Sequence, residues 1–370
     1  MLFWLQENYR DIFGPLNVFR YVTFRTIGAL LTGLVMTMVA YPPFIRSFRR
    51  LRIGESIRED GPESHQEKQG TPTMGGLVII ITVALCVFLW ADLSNIFVLY
   101  SIAIFLAFGA VGLMDDYIKL TKLRGKSGLS GKLRLVVEFV VTAIILGAFL
   151  MIPDPGTTRD TTLYIPFVSV ERISLELPAL LYGILGAFIV VGTANAVNLT
   201  DGLDGLAIGP VIISAGTFLV LAYLTAATLG NFDVTSYLLI PRVPGVQELT
   251  VFAAAMMGAG VGFLWYNTFP ASIFMGDVGA LAMGGGLGVL AVFTKNELLS
   301  CIIHGVFLVE TLSVVAQTTS YKLTGKRVFR MAPIHHHFEM KGWPEPKIIV
   351  RCWIISLILA LLALSSLKLR

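Results

Sequence analysis

The sequence predicts an all-α, polytopic integral membrane protein forming a single domain over residues 1–370, and three observations carry that prediction. Of the 370 residues, 55% are hydrophobic and only 14% charged, with a mean hydropathy of +0.77; a soluble domain averages about 25% charged residues. Long apolar runs recur from near residue 19 to the C-terminal end, separated by short polar connections that leave no room for a large soluble domain. The runs are continuous rather than alternating, which selects helices over barrel strands as the spanning form.

A helix needs about 20 mostly apolar residues to cross a bilayer about 30 Å thick. The first 18 residues carry Glu7, Arg10 and Asp11 and lack a cleavable apolar core, so no signal peptide is predicted. Span one, 19–41, starts among Arg20 and Arg25 and then runs apolar. Spans two and three, 73–90 and 94–113, follow "TPTMGG" and precede "MDDYIKL". Span four, 133–152, emerges from a basic connection, and span five, 178–196, runs from Pro178 into "NAVNLTDGLDG". Span six, 204–226, leaves that same polar cluster, and span seven, 248–266, stops before Asn267. Span eight, 279–293, is the shortest; spans nine and ten cover 297–320 and 349–368. Cys86, Cys301 and Cys352 all lie in apolar segments without paired spacing, which implies neither a disulfide framework nor a thiolate metal site.

Ten spans sort the connections into two sets. Lys and Arg total 17 in the connections after odd-numbered spans and 4 in those after even-numbered spans. The positive-inside tendency therefore makes the first set cytoplasmic and both termini external, against a mild contrary pull from Arg20 and Arg25. The clusters "SHQEKQGTPTMGG", "MDDYIKL", "NLTDGLDG", "NTFPASIFMGD" and "MAPIHHHFEMKGW" all fall in the basic set. Shared placement on one face makes them candidates for one site.

Ionisable groups at membrane depth are expensive and read as functional by default. Asp115 and Asp116 close the third span, with Lys119 four and three residues beyond them, at helical pairing distance. Adjacent helical side chains diverge by about 100°, so one acid can face a metal or phosphate while the other is held by Lys119. Asn195, Asn198, Asp201 and Asp204 exceed what a tight turn needs, and no Lys or Arg in that connection neutralises them. Asp277 stands at a helix entry, where an acid ordinarily caps or favours the helix dipole. Gly284, Gly285 and Gly286 beyond it permit close helix packing, and no Gly-Lys-Ser/Thr follows to make a phosphate loop. The cation suited to these acids is Mg²⁺, which prefers oxygen and is commonly held by one or two carboxylates plus substrate phosphates. His335, His336 and His337 are consecutive and lack zinc spacing, so they fit phosphate contacts better than a zinc site. Lys68, Lys119 and Lys132 supply point charges suited to phosphate, while other Lys and Arg residues serve as lipid-facing interfacial charges. These features together point to transfer chemistry on a lipid phosphate, with no nucleic-acid signature.

"KQGTPTMGG", "GLMDDYIK", "NAVNLTDGLDGLA", "FMGDVGALAMGG" and "MAPIHHHFEMKGWPEPKIIVRCW" resemble the bacterial phospho-N-acetylmuramoyl-pentapeptide transferase family along the whole chain, the last stretch most specifically. The aspartate motifs are shared with a broader polyprenyl-phosphate N-acetylhexosamine-1-phosphate transferase superfamily. The resemblance implies ten transmembrane helices in the bacterial cytoplasmic membrane, external termini, a homodimer and a cytoplasmic active site. It further implies Mg²⁺-dependent transfer from UDP-MurNAc-pentapeptide to undecaprenyl phosphate in the bilayer, yielding lipid I and UMP for peptidoglycan synthesis. By resemblance Asp277 is the metal-binding aspartate, and Asp115 and Asp116 are the catalytic acidic pair near metal and phosphates. Lys68, Asn198, Asp201 and Asp204 match polar positions around the nucleotide, Gly202 and Leu203 match backbone near uracil, and Asn267 and Phe274 match nucleoside contacts. His335, with a catalytic role, and His336 and His337 match a loop lining the same cleft. Two routes stay open: direct attack by the lipid phosphate, which we favour, or an aspartyl-phosphate on Asp116. The rival substrate is UDP-GlcNAc, and the rival class a secondary transporter, which would place its site nearer the midplane within repeated halves.

Overall fold

In the computed structural model the described residues are 1–51, 70–121, 128–152, 159–168, 174–226, 228–229 and 232–369. They form helices α1 (Leu2–Tyr9), α2 (Val22–Arg50), α3 (Gly76–Trp90), α4 (Ile96–Thr121), α5 (Gly131–Met151), α6 (Ala179–Thr200) and α7 (Ile208–Leu224). Next come α8 (Val234–Leu238), α9 (Leu249–Asn267), α10 (Gly276–Phe293), α11 (Ser300–Ile303), α12 (Gly305–Thr324), α13 (Ile334–Glu339) and α14 (Glu345–Leu364). Among the described residues strand is confined to two short antiparallel pairs, β1 (Thr162–Tyr164) with β2 (Ser174–Glu176), and β3 (Thr228–Leu229) with β4 (Phe232–Asp233).

A helix lies over each of the ten predicted spans. Seven of them, α2, α4, α5, α6, α9, α10 and α14, are long and apolar enough to cross a membrane. The apolar helices α3 and α7 are shorter, at 15 and 17 residues, and α12 is interrupted by Glu310, Gln317 and a Thr-Thr-Ser run. Two boundaries depart from expectation. The third span was expected to end at 113, but α4 runs on to Thr121, so Asp115 and Asp116 are buried within a helix. The ninth was expected from 297, but a turn and the short α11 occupy 294–304 before α12 starts. All three cysteines are free.

The bundle is built around α10, whose residues Val278 to Phe293 are all buried. α4 and α6 flank it, α9 packs on α2 and α7, and α5 lies against α4 and α6. The predicted role of the glycine run holds: a side chain at Gly284 would meet the backbone of α6 at Ala194, and one at Gly285 would meet Phe108 of α4. By contrast α5 and α14 are mostly exposed, with apolar residues such as Ile144, Ile354 and Leu361 outward; that is the pattern of helices meeting a nonpolar solvent.

Candidate active site

The antiparallel run of α4 and α10 brings the C-terminal end of α4 to the N-terminal end of α10. Gly112 makes that approach possible, because a Cβ there would run into the carbonyl of Asp277 and Cα of Val278. Gly276 turns the chain into α10 at φ 74, with Asp116 Oδ2 and the Met74 backbone where a side chain would stand. Asp116 then accepts from Val278 N–H at 3.1 Å. It acts as a cap supplied from another helix, satisfying an amide that α10 leaves without an intrahelical partner.

Lys119 joins the acids as its spacing predicts. Its Nζ stands 2.8 Å from Asp115 Oδ2 and 3.8 Å from Asp116 Oδ1. It also reaches Asp277 Oδ2 at 2.6 Å, a partner 158 residues away. Asp115 Oδ1 accepts from Leu129 N–H at 2.5 Å, tying the chain just ahead of α5 to the pair. Asn198, in the last turn of α6, donates to Asp277 Oδ1 at 2.7 Å.

Two residues that sequence reasoning passed over complete the cluster. Arg134, one turn into α5, places Nη1 3.2 Å from Asp277 Oδ2 and 3.8 Å from Asp115 Oδ2. Its Nη2 donates to Asn195 Oδ1 at 3.2 Å and Asn198 Oδ1 at 3.4 Å. Glu138, wholly buried four residues further on, accepts from Asn195 Nδ2 at 2.5 Å and lies 3.7 Å from Arg134 Nε. The available signal was an Arg and a Glu four residues apart in the otherwise apolar "LRLVVEFVV".

Beside this cluster sits the turn after α6. Asp204 accepts from Ala271 N–H at 2.9 Å, and Asn267 bridges the two connections, accepting from Gly205 N–H at 2.9 Å and donating to Ile273 O at 2.8 Å. Asp201 closes α6, Leu203 is buried, and Gly202 packs against His335, whose Nε2 occupies the space a Cβ at Gly202 would need. Phe274 joins the "TPTMGG" segment through its backbone, donating to Pro72 O at 2.8 Å and accepting from Gly75 N at 2.9 Å.

The three histidines diverge. His335 is buried, with Nδ1 3.0 Å from Glu310 Oε2 of α12. Glu310 is a second overlooked acid, buried in α12. His336 Nδ1 meets Glu339 at 2.5 Å, and His337 Nδ1 accepts from Arg330 N–H at 3.1 Å. Lys132 is exposed and makes no ion pair among the described residues, whereas Lys68 lies outside them.

Among the described residues, no group of three or more His, Cys, Asp or Glu converges on a point as a preformed metal cage. The donor chemistry at Asp277, Asp116 and Asp115 fits a hard cation taken by one or two carboxylates, with water and substrate oxygens completing its shell. Lys119 and Arg134 currently balance these acids. The arrangement thus offers carboxylates to a cation and two fixed positive groups to phosphate, side by side.

The profile of glycosyl transferase family 4 matches residues 96–295, and a phospho-N-acetylmuramoyl-pentapeptide-transferase signature matches residues 68–80. The chain is 54% identical over 359 residues to the phospho-N-acetylmuramoyl-pentapeptide-transferase of Sorangium cellulosum, covering 96% of this chain and 95% of that protein. It is 51% identical to proteins of the same name from Anaeromyxobacter sp. strain K, with 96% of each chain covered, and from Syntrophus aciditrophicus, with 100% of each covered. The family profile spans α4 to α10, which carry the acid cluster, and the signature lies on the segment that pairs with Phe274. On this full-length likeness the chain belongs to the phospho-N-acetylmuramoyl-pentapeptide-transferase family of membrane transferases.

Proposed function

We propose that the chain transfers phospho-MurNAc-pentapeptide from UDP-MurNAc-pentapeptide to undecaprenyl phosphate, giving lipid I and UMP. The observation that carries this reading is the meeting of Asp115, Asp116 and Asp277 with Lys119, Arg134 and Asn198 at one end of an apolar bundle. A water-soluble nucleotide substrate and a lipid phosphate can both reach such a boundary.

In this reading an oxygen of the lipid phosphate attacks the phosphorus that bears the sugar. The bond from that phosphorus to the oxygen bridging to UMP breaks, and UMP departs with the electron pair. A phosphate monoester with a second pKa of about 6 is mostly ionised at neutral pH, so the nucleophile needs little help from a base. Positioning and charge neutralisation carry the rate, as in phosphoryl transfer generally. Asp277 is the residue that would hold Mg²⁺, with Asp115 and Asp116 beside it; the ion, when bound, neutralises charge on the diphosphate and departing UMP. Lys119 orients the acidic pair, and Asn198 and the 201–204 turn receive the nucleotide end. Direct attack is favoured over an aspartyl-phosphate because Asp116 is buried and already engaged with the α10 amide.

The same reading takes all ten helices as spans of a bacterial cytoplasmic membrane, with external termini, the acid cluster facing the cytoplasm and the protein as a homodimer. The test is UMP release by purified protein given both substrates. Release should vanish without Mg²⁺ and fall about 10²–10³-fold in Asp277→Asn. Robust release by the variant removes Asp277 from the metal site. Turnover of UDP-GlcNAc alone replaces the substrate assignment, and solute uptake by vesicles without any lipid-linked product replaces the enzyme class.

A further inference from the structure

Glu138 needs an explanation. It is wholly buried in α5, a helix apolar enough to cross a membrane, where a carboxylate is expensive unless it is paired and does something. Its partners are Asn195 at 2.5 Å and Arg134 Nε at 3.7 Å, and both Arg134 Nε and Glu138 Oε1 are buried without a hydrogen bond. The pair is therefore close but not locked. Asn195 also accepts from Arg134 Nη2, so Glu138 controls the guanidinium along two routes, through the charge and through the amide.

The other end of the guanidinium is open. The Arg134 side chain keeps 19% exposure, and its Nη1 shares Asp277 Oδ2 with Lys119. Nη1 carries two N–H groups, so an anion arriving at this face can take Nη1 while Nη2 stays on Asn195 and Asn198. The rigid planar guanidinium, with Nη2 anchored, aims Nη1 in a fixed direction at a phosphate oxygen in a way that the rotatable ammonium of Lys119 does not. Holding the guanidinium in place beforehand lowers the entropy lost on binding.

We infer that Arg134 is a phosphate-binding residue that grips the diphosphate of the nucleotide-linked substrate, and that Glu138, with Asn195, is the positioning element that aims it. This rests on the proposed function for the substrate class. It adds a residue pair, 134 and 138, that the motif resemblance did not include.

The test measures equilibrium binding of UDP and of uridine to the purified full chain, with and without Mg²⁺, for wild type, Arg134→Met, Arg134→Lys and Glu138→Gln. Arg134→Met should weaken UDP about tenfold or more, the loss expected for one or two charge-assisted hydrogen bonds, and leave uridine unchanged. Arg134→Lys should fall between, because it keeps charge and loses the planar group that Asn195 and Asn198 anchor. Glu138→Gln should lower the UDP-to-uridine affinity ratio by about threefold to tenfold. A structural role alone would weaken both ligands together. UDP affinity within twofold of wild type in Arg134→Met overturns the inference, as does a loss seen only with Mg²⁺, which would assign the effect to Asp277. A wild type that binds neither ligand defeats the proposed function instead.

Discussion

The two ends of α10 carry the molecule's most instructive contrast. At the end that starts with Asp277, charged groups stay partly open: Lys119 is 45% exposed, Arg134 19% and Asp277 16%. At the other end, Lys295 is 4% exposed and Glu297 1%, and their charges are paired with each other in the interior. Lys295 Nζ lies 3.1 Å from Glu297 Oε1, donates to Asp160 O at 2.9 Å and sits 4.2 Å from the ring centre of Tyr182. Tyr182 donates in turn to Glu297 at 2.5 Å. Both ends hold buried ionic groups in an apolar bundle, but only one leaves its charges where a ligand can reach them. Burial of charge alone thus does not mark a site; burial with an open side does.

The contrast is broken most strongly by Lys295→Met, which leaves Glu297 buried and uncompensated. We expect a loss of about 3–5 kcal/mol in stability, read by thermal or denaturant unfolding in detergent, with transfer activity unchanged in the surviving folded fraction. The double variant Lys295→Met/Glu297→Gln should recover part of it. A single variant as stable as wild type would show that this end is not a structural latch.

Asp277→Asn tests the open end. UMP release should fall about 10²–10³-fold, the usual scale for losing one electrostatic contact in a reaction site, while the unfolding midpoint changes little. A large stability loss with modest rate loss would reverse the assignment of the two ends.

Gly112→Ala probes the packing that joins α4 to α10. The added methyl meets the Asp277 carbonyl, so we expect about 1–3 kcal/mol of destabilisation and a parallel fall in transfer. Unchanged activity would mean that the Asp277 backbone can shift without penalty.

The smallest expected effect lies in the loop at the closed end. Burial raises the Asp160 carboxyl, but hydrogen bonds from Thr162 and Tyr164 outweigh it and hold its pKa below the usual carboxylate range. Its stabilising contribution is therefore present above an unfolded pKa of about 4 and is lost as pH falls through the lower folded value. Asp160→Asn should remove that acid-side slope, with a change below about 1 kcal/mol. Unfolding midpoints of both proteins measured from pH 3 to 6 provide the check, and parallel curves would refute it.

Local physics made part of the site legible. Lys119 was readable against Asp115 and Asp116 because pairs three and four apart meet on any helix, and Asp277 was readable as an acid at a helix start. What spacing could not reveal was that the Lys119 ammonium also serves an acid 158 residues away, that Asn198 holds Asp277, or that Glu310 holds His335. Glu138 and Glu310 were visible as acids in apolar runs, yet Asn195, which donates to Glu138, and His335, which meets Glu310, lie on other helices. The misplaced end of α4 has a similar origin: hydropathy falls where the acids begin, while the helix continues because Asp115 and Asp116 find their partners across the bundle.

The sequence by itself determined the class of protein, the approximate position of each apolar helix and the gathering of five polar clusters in connections of one parity, because hydropathy and chain direction are properties read along the chain. Only the tertiary structure decided which charges meet, which are sealed and which stay open. Those outcomes depend on helix crossings at Gly112 and Gly276 and on contacts over more than a hundred residues of sequence, where ångström-scale distances separate a latch from a site.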